Sequence, residues 1–120
     1  ANPVSMKAAL DLLSGALGRK IAILGDMFEL GNHSDKMHEE VGAYAVEKEI
    51  DAVFCVGESA RFMYDAALVR YDGMQDIRYF AAKEELLESL PDLVLEGDTI
   101  LVKASHGMGF AEIVEALKQM

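Results

Sequence analysis

Three side chains that can handle charge lie within four positions of one another in "VKASHGMGF", residues 102–110. Lys103 offers an ammonium, Ser105 a hydroxyl and His106 an imidazole. Gly107 and Gly109 let the backbone come close to a bound group. An apolar run, Ile100-Leu101-Val102, leads in, and a helical pattern resumes directly afterwards. A strand-to-helix turn of this kind can hold an anion. The first amides of a helix are unpaired, sit at the positive end of its dipole and bind phosphates or carboxylates. The same residues also describe an ordinary serine-capped helix behind a glycine turn.

A second group of polar residues ends the first apolar run, in "LGDMFELG". Asp26 and Glu29 can orient an ammonium, accept from a ribose hydroxyl or contact a metal. The plainer alternative is loop solvation with an Asx turn at Asp26. His33 and His38 are five positions apart across an expected helix start. Zinc needs three or four converging ligands, so this pair indicates no metal site. His38 reads as an exposed or partly packed helix residue. No G-x-x-x-x-G-K-[ST] loop and no G-x-G-x-x-G after the first strand occur, so the chain alone lacks a nucleotide-binding signature. Neither a Ser-His-Asp order nor a Cys-His pair stands out, and no catalytic residue is assigned.

The elements that must position these residues alternate between two periods. Met6, Ala9, Leu10, Leu13 and Leu17 are spaced for one helix face, with Pro3 before it and Gly15 near its end. "IAILG" (residues 21–25) and "AVFCVG" (52–57) are short continuous apolar runs, as in strands buried on both faces. Between them Ser34 or Asp35 is the expected cap of a helix whose face is Met37, Val41, Tyr44 and Ala45. Phe62, Met63, Ala66 and Ala67 mark a third helix after a Ser59 cap. "IRYF" (77–80) is a third strand, and Leu86, Leu87, Leu90 and Leu93 form a fourth helix ending near Pro91. A Gly97-Asp98 turn enters "TILVKAS", and Phe110, Ile113, Val114 and Leu117 close with a fifth helix. Met6, Met37 and Met63 are expected in the core. One helix followed by four strand–helix units predicts a three-layer, Rossmann-like α/β fold, an open mostly parallel sheet with helices on both faces. Ligands bind such sheets beyond the carboxyl ends of the strands. That rule selects residues 25–33, 57–59, 81–83 and 103–109.

The 120 residues suit a single domain, with 52% hydrophobic and 27% charged residues. A net charge of −10 excludes a general nucleic-acid binder, whose affinity needs Lys and Arg on phosphates. No apolar run approaches the roughly 20 residues of a membrane span, and no signal peptide is evident. The single cysteine, Cys55, lies in an apolar run, cannot form an internal disulfide and suits a cytoplasmic setting as a small hydrophobe. The chain does not begin with Met, which suggests a fragment of something longer.

Four segments in order carry a resemblance: "ANPVSMKAAL", "KIAILGDMFELG" followed by "HEEVG", "VFCVG", and "GDTILVKASHGMGF". Together they resemble the C-terminal domain of the Mur ligases over essentially the whole chain, and within that family the branch that adds a dipeptide. The resemblance implies a three-domain cytoplasmic enzyme of peptidoglycan synthesis. An N-terminal domain would bind the UDP-sugar, and a central domain would bind ATP and magnesium and carry the family's carbamoylated lysine. Both would lie outside these residues, as would a strand just upstream of Ala1. ATP would phosphorylate the terminal carboxylate of UDP-N-acetylmuramoyl-tripeptide, and the amine of D-alanyl-D-alanine would displace phosphate to form the amide. The resemblance further implies roles by position. Lys103, Ser105 and His106, with backbone near Gly107 and Met108, would bind the dipeptide carboxylate or the forming anionic centre. His106 stands where many relatives carry arginine. Asp26 and Glu29 would orient the dipeptide amine or help order the closed site. Phe28 and Met108 would line the pocket for its methyl groups, and Asn2 would contact the nucleotide at the interdomain hinge. The isolated chain is expected to be inactive. The alternative is a free-standing small-molecule-binding or regulatory module of flavodoxin-like or receiver-like fold. A receiver would want an Asp after the third strand, where this chain has "YFAAKEE".

Overall fold

The computed structural model describes all 120 residues. Its elements are α1 (Pro3–Ser14), β1 (Lys20–Gly25), α2 (Ser34–Glu47), β2 (Ala52–Val56), α3 (Ala60–Arg70), β3 (Asp76–Phe80), α4 (Lys83–Leu93), β4 (Thr99–Lys103) and α5 (Ala111–Lys118). Single 3-10 turns, Gly31–His33 and His106–Met108, precede α2 and α5. All strand pairs are parallel and the sheet order is β3-β2-β1-β4. This is the expected α/β architecture.

The order has a functional consequence. The chain steps outward from β1 to β2 to β3, then crosses back to place β4 on the other side of β1. Right-handed crossovers send the helices before and after that reversal to opposite faces. Side chains alternate accordingly along β1. Ala22 and Leu24 join a core with Met6, Leu10, Val41 and Met63 from α1, α2 and α3. Ile21 and Ile23 join Leu86, Leu90, Phe110 and Ile113 from the α4–α5 side. β1 and β4 meet at the reversal, the switch point where open α/β sheets hold ligands.

Several helix expectations need correction. Leu17 is 89% exposed because α1 ends at Ser14, before the predicted face reaches it. The buried stripe of α2 is His38, Val41, Gly42, Ala45 and Val46, while Met37 and Tyr44 are only partly covered. A glycine serves in that stripe because α2 and α3 touch there. A Cβ on Gly42 would stand 2.1 Å from the Met63 carbonyl oxygen. Neither Ser34 nor Ser59 caps its helix through its side chain. Pro91 lies inside the last turn of α4, which runs on to Leu93.

Candidate functional site

The segments after β1 and β4 are held together at the switch point. The Ser105 amide donates to the Asp26 carbonyl (2.9 Å), and the Phe28 amide donates to Ser105 Oγ (2.7 Å). The register of β1 with β4, Leu24 beside Lys103, brings these segments into reach. Gly25 is required here. A Cβ at this position would lie 2.5 Å from Phe110 Cζ and 2.7 Å from the Ala104 Cβ. The Phe110 ring thus packs on the end of β1 and sets where α5 begins.

Asp26 is 8% exposed, so the solvated-loop reading fails for it, and the Asx turn fails because Ser105 takes the Phe28 amide. Its Oδ1 accepts from the Ala60 amide at 2.7 Å, which supplies α3 with the N-terminal cap expected from Ser59. Its carboxylate lies over Gly57, where a Cβ would approach Oδ1 to 2.5 Å. Glu29 differs: it is exposed, makes no hydrogen bond and has φ 60°, unusual for a residue with a Cβ. Glu29 is therefore the loop's available carboxylate.

Sequence reasoning missed His38. It is fully buried, accepts from the Met27 amide at Nε2 (3.0 Å) and meets the Ser34 carbonyl through Nδ1 (2.7 Å). Asp26, His38 and Ser105 are the buried polar side chains of the chain, and all three fasten the loop after β1. The available signal was an i, i+3 relation between His38 and Val41 on the buried stripe, hidden because histidine carries no apolar weight.

The anion turn is also arranged differently from the sequence reading. Most of the first amides of α5 are paired: Glu112 N–H donates to the Gly109 carbonyl, and Ile113 and Val114 N–H to the Phe110 carbonyl, while Ala111 N–H makes no bond within the chain. Ahead of α5 lies one 3-10 turn whose His106 and Gly107 amides have no partner within the chain, ended by Gly109 at φ 69°. Lys103 is half-buried and makes no ion pair, whereas Lys83 near Gly109 is paired with Glu112 at 2.9 Å. The full positive charge at the turn is therefore that of Lys103, which has no ion-pair partner. His106 is exposed. The two Ser105 bonds, to the Asp26 carbonyl and from the Phe28 amide, form a latch between the segments that follow β1 and β4. The open space is a groove of about 350 Å³ between the outer side of β4 and the start of α5, lined by Lys103, Ser105, His106 and Val114 among others. Phe28 is 46% exposed with its ring 3.1 Å from where a Gly107 Cβ would be. Met108 packs toward the α4–α5 core. Asn2 caps α1, with its Oδ1 accepting from the Ser5 amide at 2.9 Å.

Comparison with known proteins agrees with this architecture. The chain is 38% identical over 98% of its length to the UDP-N-acetylmuramoyl-tripeptide–D-alanyl-D-alanine ligase of Bacillus subtilis, and 36% identical over 99% to that of Escherichia coli. It spans about a quarter of the length of these relatives, 26% and 25%. Among solved structures, MurF from Acinetobacter baumannii superposes on the whole chain with a TM-score of 0.87 at 27% identity, using 26% of that protein. MurF from Thermotoga maritima, crystallised with ADP, gives 0.76 at 25% identity over 99% of this chain and 26% of its own. The family description "Mur ligase, glutamate ligase domain" matches residues 1–106, and the chain belongs to that family.

Proposed function

We propose that the chain is the C-terminal, dipeptide-presenting domain of a cytoplasmic ATP-dependent ligase that joins D-alanyl-D-alanine to UDP-N-acetylmuramoyl-tripeptide in peptidoglycan synthesis. One observation carries the reading at the level of the site. A lysine without an ion-pair partner, Lys103, ends β4 and is followed within four residues by two unpaired amides, those of His106 and Gly107, in a chain whose relatives bear that ligase's name. The alternative of a free-standing regulatory module has no comparable support.

Lys103, His106 and the amides of His106 and Gly107 are the groups for the dipeptide carboxylate. A charged hydrogen bond to a carboxylate is about twice as strong as a neutral one. Glu29 is the carboxylate for the dipeptide amine. Asp26 and Ser105 hold the loop that carries it, and Phe28 and Met108 border the methyl groups. Asn2 keeps its side-chain NH2 for a nucleotide contact at the hinge, since only its oxygen is engaged in the cap. ATP, magnesium and the UDP-sugar belong to parts of the parent outside these residues. No three His, Cys, Asp or Glu side chains here are grouped to hold a cation, and no phosphate loop follows β1. The chemical task left to this chain is to present the amine in a fixed direction and keep water from it, contributions that lower the barrier through proximity.

The test is Lys103→Ala and His106→Ala in the parent enzyme. Loss of a carboxylate anchor raises the dipeptide KM roughly ten- to a hundredfold for Lys103→Ala and leaves kcat nearly unchanged. A fall in kcat at constant KM reassigns Lys103 to the forming anionic centre. Wild-type kinetics in both variants would sink the assignment of the site to this turn.

A further inference from the structure

We infer that His38 is a positioning residue for the dipeptide site, acting on it through the Met27 amide. The inference rests on the ligase reading above and goes beyond it, because His38 lies on α2 and touches no group proposed to meet a ligand.

The geometry fixes the state of the ring. Nδ1 is 2.7 Å from the Ser34 carbonyl oxygen, which can only accept, so Nδ1 carries the hydrogen. Nε2 is 3.0 Å from the Met27 amide nitrogen, which can only donate, so Nε2 presents its lone pair. His38 is therefore the neutral Nδ1–H tautomer, with both nitrogens occupied and no exposure.

A core position on α2 could be filled by an apolar residue at no polar cost. What the imidazole adds is an acceptor for Met27 N–H, in a residue only 2% exposed and with no other acceptor in reach. The backbones of three consecutive loop residues are each held from outside the loop by one bond. The Asp26 carbonyl is held by the Ser105 amide, the Met27 amide by His38 and the Phe28 amide by Ser105 Oγ. The next residue, Glu29, is a non-glycine at φ 60°, a conformation that persists only when its surroundings impose it. Ser105 anchors the loop from the dipeptide turn, and His38 anchors it from the opposite side. Without the His38 acceptor the Met27 amide is left unpaired between the Asp26 and Phe28 anchors, and the backbone that sets the Phe28 ring over Gly107 and aims Glu29 loses its central tie.

The experiment compares two polar replacements in the parent enzyme. His38→Gln can place its side-chain oxygen where Nε2 was and keep the Met27 bond. His38→Asn reaches only as far as Nδ1 and keeps the Ser34 contact alone. The expected result for His38→Asn is a dipeptide KM raised on the order of tenfold, with the KM values for ATP and UDP-tripeptide unchanged. His38→Gln should stay within about threefold of wild type. In the 120-residue chain, Met27 and Phe28 amide exchange should accelerate at least about tenfold in the Asn variant relative to the amides of β2, which report global stability. Equal dipeptide KM values for Asn and Gln variants overturn the inference, as does unchanged Met27 exchange. Faster exchange with a wild-type dipeptide KM reduces His38 to a loop anchor and leaves the ligase reading standing. A wild-type parent that does not use the dipeptide overturns the ligase reading and the positioning role with it.

Discussion

Ser105 shows how one hydroxyl ties two segments. It is 8% exposed, its Oγ accepts from the Phe28 amide at 2.7 Å, and its own amide holds the Asp26 carbonyl. Ser105→Ala keeps the second bond and removes the first, leaving a partly buried N–H unpaired. Such a loss costs about 1–3 kcal/mol, readable as a lower urea midpoint at constant slope. In the parent it should also raise the dipeptide KM, because Phe28 and Glu29 follow the freed bond. An unchanged midpoint would show that the latch contributes nothing. Cys55 makes the opposite case, a reactive group kept idle. Burial in the middle of β2 pushes its thiol up to about 12. The thiolate is the nucleophile, so a thiol reagent at pH 8 should label Cys55 only as fast as the chain unfolds. Labelling of the native chain at a peptide-like rate would contradict its position.

At the scale of elements, contacts at the two ends of the sheet do different work. At the amino-terminal end, Arg19 before β1 grips Asp98 before β4 with two of its three nitrogens, Nε at 3.0 Å and Nη2 at 2.7 Å, and also reaches the Leu93 carbonyl. The Arg19 guanidinium, helped by the Leu95 amide, holds the Asp98 carboxyl below its ordinary value despite the opposing effect of burial. A depressed folded-state value means that this contribution is complete above about pH 4 and is lost as pH falls through the folded value. Asp98→Asn should therefore lower stability at pH 7 and flatten its decline below pH 4, measured by urea unfolding across pH. Parallel pH profiles for the two proteins would refute the coupling. Gly42→Ala tests the packing of α2 on α3. Its Cβ would meet the Met63 carbonyl at 2.1 Å, and overpacking of this kind costs about 1–3 kcal/mol or more. The elements were legible where burial is two-sided: β1 and β2 are the central strands, and their continuous apolar runs announced them. The helix faces were less so. The inner face of α2 uses His38 and Gly42, chosen for a hydrogen bond and for close approach, and neither registers in an apolar pattern. Caps were misassigned for a related reason. Asp26 caps α3 across 34 positions of sequence, and local serine spacing cannot announce a tertiary contact. The sequence places Lys103 at a strand end and the turn ahead of the last helix, and the structure has them there, because apolar runs and glycines suffice to mark such a boundary. The pairing of the Glu112, Ile113 and Val114 amides was not foreseeable, since it depends on where Gly109 and Phe110 turn the chain.

At the scale of the molecule, a radius of gyration of 13.0 Å is that of a self-contained domain, about 13–14 Å for this length. The chain should fold on its own cores while holding only part of a catalytic site. Its net charge of −10 gives a carboxylate ligand no general attraction, so affinity must come from the local field of Lys103 and two amides. Lys103 and His106 line an open groove, where an ion pair contributes at most about 1 kcal/mol because water screens it. Immobilising a small ligand costs several kcal/mol, so the remaining free energy corresponds to millimolar or weaker binding. A second domain closing over the groove would exclude water and strengthen the same contacts without any new residue from this chain. The isolated chain should accordingly form no amide when given ATP, UDP-tripeptide and D-alanyl-D-alanine. The dipeptide should perturb the His106 and Gly107 amide resonances only at millimolar concentrations and above, and Lys103→Ala should abolish that shift while the amides of β2 stay in place. Micromolar binding or any turnover by these 120 residues alone would mean that the groove is already a complete site.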